Sequence, residues 1–280
     1  MNIRCFPRKF SSALPPLVPL QLPSPMETHL WYILPNEVKS VALLNQYSEL
    51  LSPCERENVN RMGGDQLKKR ALLARALVRT TIARYQTNCQ MNPRSLKFRK
   101  NIYGKPEIGI DVEGKQRKIK NDIIAFAQRY FSPCEVKLLT AISDSEIQRQ
   151  EFIKLWTLKE AYVKALGKGF SAVPFKTFTI RFKASTIRCF HLPGNSVSEA
   201  SEVIVESSDD PKNLPNNWQF ALLEVAASHY VAICTEKDKI VGGEANRPMK
   251  LTVRKTIPFV EDVCVSGTDA VLVLGGIIEQ

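Results

Sequence analysis

The chain has 280 residues and a formal charge of +11, from 39 basic against 28 acidic side chains; its length allows one large domain or two smaller ones. With 44% hydrophobic and 24% charged residues it reads as globular, and apolar runs such as Val271 to Leu274 are too short to cross a bilayer. Seven scattered cysteines and three histidines, none at metal-ligand spacing, give no support to a disulfide scaffold, a zinc hydrolase or a Ser-His-Asp enzyme, while the basic surplus favours an anionic partner.

Residues 1–26 carry Arg4, Arg8 and Lys9, with Ser11, Ser12 and Ser24, and no acidic residue precedes Glu27. That is the composition of an organellar transit peptide, so this leader is set apart from the fold. Mitochondrial import is expected, with the cytosol and the plastid as alternatives. From His29 to Val41 the pattern predicts a first strand and a turn at Pro35-Asn36. Ser52-Pro53-Cys54-Glu55 opens a helix, with Ser52 as N-cap, proline at the first position and Glu55 closing a capping box.

In the next helix Leu67, Ala71, Ala74, Val78, Ile82 and Tyr85 fall at steps of three and four and predict one apolar face. Lys68, Lys69, Arg70, Arg75, Arg79 and Arg84 decorate the rest as solvated charges, of which one or two could bind phosphates. The stretch has no nucleic-acid fold signature and no aromatic stacking pattern, so a nucleic-acid partner is not expected. Tyr103-Gly104-Lys105-Pro106 reads as a turn, Ile108 to Glu113 as a strand, and Ile123 to Phe131 as a helix. Ser132-Pro133-Cys134-Glu135 then repeats the helix start at Ser52, a hint of two related halves.

A long helix is predicted from about Ser145 to Leu166, stopped by Gly167 and Gly169, with Phe152, Leu155, Leu158, Tyr162 and Leu166 as its buried stripe. Strand-like runs follow at 177–182, 202–206, 219–225 and 230–236, and predict an antiparallel meander. Lys250 to Gln280 is β-prone, without an assignable place.

Asp111 and Glu113 lie two apart on a strand, so both leave the same face. Side-by-side carboxylates repel unless a hard cation such as Mg²⁺ neutralises them, although a solvated strand face fits the same pattern. Glu160 lies four residues before Lys164 on the long helix; a surface ion pair worth ~0.3–0.5 kcal/mol also fits that spacing.

GIDVE at 109–113, RYFSPCE at 129–135 and FIKLWTLKEAYVKALGKGF at 152–170 come in the order and spacing of the surfactin-type 4′-phosphopantetheinyl transferases, which this chain resembles from about Leu30 to Thr235. The resemblance implies an α+β protein of two similar half-domains, each a helix packed on a small antiparallel sheet. A pseudo-twofold axis would relate them, with the site in the cleft between. The halves would span 27–107, incomplete, and 108–245, which holds the metal motifs; 246–280 would be an extension. The implied reaction moves 4′-phosphopantetheine from coenzyme A to a serine of an apo acyl carrier protein, such as those of fatty-acid synthesis, with Mg²⁺ as cofactor. Asp111, Glu113 and Glu160 would hold the metal. Glu160, Lys164 and Glu135 would act in catalysis, Glu135 as base for the carrier serine. Arg70, Lys105, Lys159 and Lys164 would contact coenzyme A. The protein would be a monomer and its carrier acidic.

One segment departs from the family pattern. Between the Gly-Lys-Pro turn and G-[IV]-D-[IV]-E the family carries a strand ending in N-x-S-H, whose Ser-His pair contacts an adenylate phosphate. Here Lys105-Pro106-Glu107 runs straight into Ile108-Gly109. The expected consequence is an incomplete first sheet and impaired transfer, the alternative being a non-catalytic variant that binds coenzyme A or carrier protein.

Overall fold

The computed structural model describes residues 15–24, 27–86, 92–98, 108–119, 122–167, 173–184, 201–207, 218–236, 249–276 and 278–279. It is an α+β protein that divides into two compact units, one of residues 1–25, 29–98 and 253–264, the other of 26–28, 99–252 and 265–280. None of its described helices is long and apolar enough to cross a membrane.

In the first unit α1 (Val41–Leu50) starts at Ser40, whose hydroxyl accepts the Leu43 N–H at 3.2 Å. The predicted capping box opens α2 (Pro53–Asn60): Glu55 Oε2 accepts the Ser52 N–H at 2.8 Å, and Ser52 Oγ accepts the Glu55 N–H. α3 (Asp65–Arg84) carries the largest correction. Its buried face is Leu73, Ala76, Thr80 and Ala83, while Leu67 and Val78 of the expected stripe stand 55% and 48% exposed. Arg79, expected in solvent, is 2% exposed. The reason is local: its guanidinium meets Glu55 Oε2 at 2.6 Å and donates to the carbonyls of Pro93 and Leu96 at 2.9 and 3.2 Å. A buried charge costs several kcal/mol unless paired in this way. Val38, Tyr47, Leu51, Val59, Leu73 and Ala76 form the core of this unit.

Residues 29–32 of β1 (Glu27–Tyr32) and 253–257 of β7 (Met249–Ile257) also belong to it, together with β8 (Glu261–Cys264), antiparallel on β7 with Arg254 opposite Cys264. Arg84 pairs with Asp262 at 2.6 Å and the Tyr47 hydroxyl donates to the Pro258 carbonyl at 2.7 Å. Of the leader, 1–14 and 25–26 lie outside the described residues, while Leu20 donates its N–H to the Arg84 carbonyl at 2.8 Å.

The second unit holds an antiparallel sheet ordered β2 (Ile108–Gly114), β6 (His229–Glu236), β5 (Trp218–Val225) and β9 (Val271–Gly276). The expected meander is two structures: β3 (Phe178–Ala184) and β4 (Ser201–Ser207) pair as a separate two-stranded ribbon, and β5 and β6 join the sheet. The unplaced C-terminal stretch supplies β7, β8, β9 and the short β10 (Ile278–Glu279), which runs parallel to β7. α4 (Ile123–Tyr130) and α5 (Pro133–Thr140), the latter opened by the second capping box, precede α6 (Ser145–Ala165). As predicted, α6 buries Phe152, Leu155 and Leu158. It ends before Gly167, whose φ of +65° suits glycine best. Its apolar side joins Phe131, Phe175, Phe220, Leu222, Ala232 and Cys234 in one core.

Candidate active site

The site begins with a glycine. A Cβ on Gly109 would stand 1.8 Å from the Ala161 carbonyl oxygen and 2.5 Å from the Ala165 amide nitrogen, so β2 lies directly on the backbone of α6. Side chains two and four residues further along the same strand face, Asp111 and Glu113, are thereby brought to the helix positions of Glu160 and Lys164. Antiparallel pairing on β6 fixes the register, with Asp111 opposite Ala232 and Glu113 opposite Tyr230.

Lys164 Nζ donates to Asp111 Oδ1 at 2.7 Å and to the Ile110 carbonyl at 3.1 Å. The other carboxylate oxygen, Asp111 Oδ2, is buried and has no hydrogen-bond partner. Glu113 is held in a close ion pair by Arg117, whose guanidinium lies 5.5 Å from the centre of the Trp156 ring. Glu160 takes no hydrogen bond from any described residue. Burial pushes the Glu113 carboxyl above its ordinary range; Arg117 opposes this, and Asp111 and Glu160 add to it. Burial raises Glu160 likewise, Asp111 adds to the rise, and Lys164 and Arg117 oppose it. Three carboxylates and two cations thus share one seam. Among the described residues no three His, Cys, Asp or Glu side chains are gathered closely enough to grip a metal ion as they stand.

Asp111, Glu113, Glu160 and Lys164 are therefore brought near one another. Arg117 is a member that sequence reasoning missed; its only signal is the fourth position after Glu113, across the turn closed by Arg117 N–H on the Gly114 carbonyl. Glu135 and Lys159 are elsewhere. Both are 0% exposed, paired at 2.9 Å inside the core of the second unit, which corrects the expectation that they face substrate. Their own bonds are the cause. Glu135 accepts the Ser132 and Ile180 N–H groups, and Lys159 Nζ donates to the carbonyls of Phe175 and Phe178 at 2.8 and 2.7 Å. Burial pulls the Lys159 ammonium down to about 8, against the opposing pull of Glu135. Arg70 is exposed on α3 in the first unit, and Lys105 lies outside the described residues. The chain does contain a Ser-His dipeptide, Ser228-His229, at the β5–β6 turn rather than between Pro106 and Gly109; there Ser228 Oγ lies 2.8 Å from His229 Nδ1.

A carboxylate-and-lysine seam with one unpartnered buried oxygen thus lies where β2 meets α6 on an α+β frame. Residues 107–234 match the family model of the 4′-phosphopantetheinyl transferase superfamily. The chain is 30% identical over 162 residues to 4′-phosphopantetheinyl transferase Sfp of Bacillus subtilis, covering 49% of this chain and 68% of that protein. It is 33% identical over 156 residues to putative 4′-phosphopantetheinyl transferase slr0495 of Synechocystis sp., covering 46% and 62%. A solved holo-[acyl-carrier-protein] synthase of Thermotoga maritima overlaps 46% of this chain and 62% of its own at 20% identity and a TM-score of 0.31, too slight a likeness to argue from. The chain belongs to the 4′-phosphopantetheinyl transferase superfamily, and it spans about two thirds of the length of these bacterial relatives.

Proposed function

We propose that the protein transfers 4′-phosphopantetheine from coenzyme A to a serine of an acyl carrier protein. The observation that carries the reading is the seam itself: Lys164 on Asp111 beside Glu113 and Glu160, at the positions of the family motifs. The carrier's serine oxygen bonds to the β-phosphorus of coenzyme A. The bond from that phosphorus to the bridging oxygen breaks, 3′,5′-ADP leaves with the electron pair, and the hydroxyl proton passes to a base. Lys164 lies on the exposed side of α6 and offsets negative charge on the pyrophosphate.

The donor set fits Mg²⁺, because it is all oxygen and because Asp111 Oδ2 is a buried acceptor without a partner. Asp111, Glu113 and Glu160 would hold the ion, which when bound supplies charge neutralisation and alignment of the pyrophosphate. Arg70 and Lys105 are proposed for the nucleotide end. The +11 charge supports an acidic carrier protein as the macromolecular substrate, met by a monomer. The acid-free leader supports delivery to the mitochondrion.

A second reading, a non-catalytic variant that binds coenzyme A or carrier, is favoured by the absent N-x-S-H segment. Release of 3′,5′-ADP from coenzyme A, measured with and without apo carrier, separates the two. Carrier-dependent release that falls at least about 100-fold in Lys164→Ala supports transfer. Retention of the carrier without release supports the second reading.

A further inference from the structure

Two ion pairs, one half-buried and one fully buried, share one sequence pattern. Ser52-Pro53-Cys54-Glu55 and Ser132-Pro133-Cys134-Glu135 each open a helix, and each glutamate takes a cation 24 residues downstream (79 − 55 = 24; 159 − 135 = 24). Glu55 meets Arg79 at 2.6 Å and Glu135 meets Lys159 at 2.9 Å. The cations sit on the long helices α3 and α6. Each spends its remaining donors on two backbone carbonyls, Pro93 and Leu96 for Arg79, Phe175 and Phe178 for Lys159. Each also lies over an aromatic ring, Phe98 at 5.2 Å and Phe178 at 4.0 Å.

We infer that Glu135 and Lys159 are a positioning lock for α6, the counterpart of Glu55 and Arg79, and that Glu135 does not accept the serine proton; this rests on the transferase reading above. The first copy of the lock lies in the unit that does not contain Asp111, Glu113, Glu160 or Lys164, so the arrangement needs no chemistry to explain it. In the second copy both Glu135 oxygens are already occupied, by Ser132, Ile180 and Lys159, and the residue has no exposure. A base must reach the proton it takes. Lys159 immediately precedes Glu160, and successive helix residues point roughly 100° apart. Anchoring Lys159 on the Phe175 and Phe178 carbonyls therefore sets the rotation at which Glu160 and Lys164 meet β2.

The test uses Lys159→Met, Glu135→Gln and the double variant in the full chain, with melting temperature and carrier labelling measured on each. Lys159→Met strands a buried carboxylate, and its melting point should drop by about 10 °C, with labelling falling alongside. Adding Glu135→Gln should bring melting back to within about 3 °C and labelling to within about threefold of wild type, with the acid limb of the pH profile unmoved. Recovery of labelling on removing Glu135 is something a base could not show. Should Lys159→Met fail to fold, recovery of folding in the double variant supports the lock equally. A Glu135→Gln chain that melts like wild type but labels more than about 100-fold slower would overturn the inference. If wild type labels nothing, the transferase reading has failed by itself and melting decides: recovery in the double variant sustains the lock, and additive losses end it.

Discussion

Glu160 shows what the seam costs the fold. Burial and Asp111 raise its carboxyl above the ordinary value, so between that value and the raised one the folded chain binds more protons than the unfolded chain. Stability from this group is therefore present at low pH and lost as pH rises through the folded value. Glu160→Gln should melt higher than wild type at pH 7, by about 2 °C, with the gain vanishing below the ordinary carboxylate range. A thermal melt series across pH checks both sign and window. Arg117 offers a second prediction. It holds Glu113, so Arg117→Ala should bind Mg²⁺ about two- to fivefold more tightly by calorimetry, the size of an exposed ion pair removed from competition. Strand and helix periodicity made Asp111 with Glu113 and Glu160 with Lys164 legible as two neighbour pairs, and only the family resemblance joined the pairs into one site. Arg79 was not legible, since a charge on a helix reads as solvated until the place of its partner is known, and Glu135 and Lys159 were read by resemblance as facing substrate although both are buried in an ion pair. Arg117 depends on the turn after β2, which periodicity does not describe.

Among the elements, β2 and α6 depend on Gly109. Gly109→Ala forces backbone apart, and should destabilise the second unit by about 2–4 kcal/mol and reduce labelling beyond the loss of stability, because Asp111 and Glu113 leave Glu160 and Lys164. Denaturant melts beside labelling of the folded fraction measure it. The turn between β5 and β6 is strained in the opposite sense. Ala226 and Ala227 hold φ of +52° and +53° at its two central positions, with the Ser228 N–H donating to the Val225 carbonyl. Ala227→Gly relieves a left-handed alanine, and should stabilise by about 0.5–1 kcal/mol in the same melts. Both capping boxes were legible, since Ser-Pro-x-Glu prescribes its own bonds. The buried face of α3 was not. Its alanines and leucines occur around most of the helix, and the winning face is chosen by the Glu55–Arg79 pair and the packing of Leu73 and Ala76.

Across the whole molecule, the C-terminal stretch is structural. β8 and residues 253–257 of β7 belong to the first unit, where Arg84 pairs with Asp262 and Tyr47 with the Pro258 carbonyl, and β9 closes the outer side of β5 in the second. Its β-prone composition gave it no assignable place, because pairing between distant strands leaves no local trace. Ending the chain at residue 245 should therefore cost cooperative melting and expose the β5 edge to association, seen by light scattering. The measurement that bears most directly on the account is the intact mass of an apo acyl carrier protein after incubation with this chain, coenzyme A and Mg²⁺. A gain of one phosphopantetheine group, absent with Asp111→Ala, is the predicted result. An unchanged carrier mass with the chain shown to be folded would contradict the assignment of transfer to this seam.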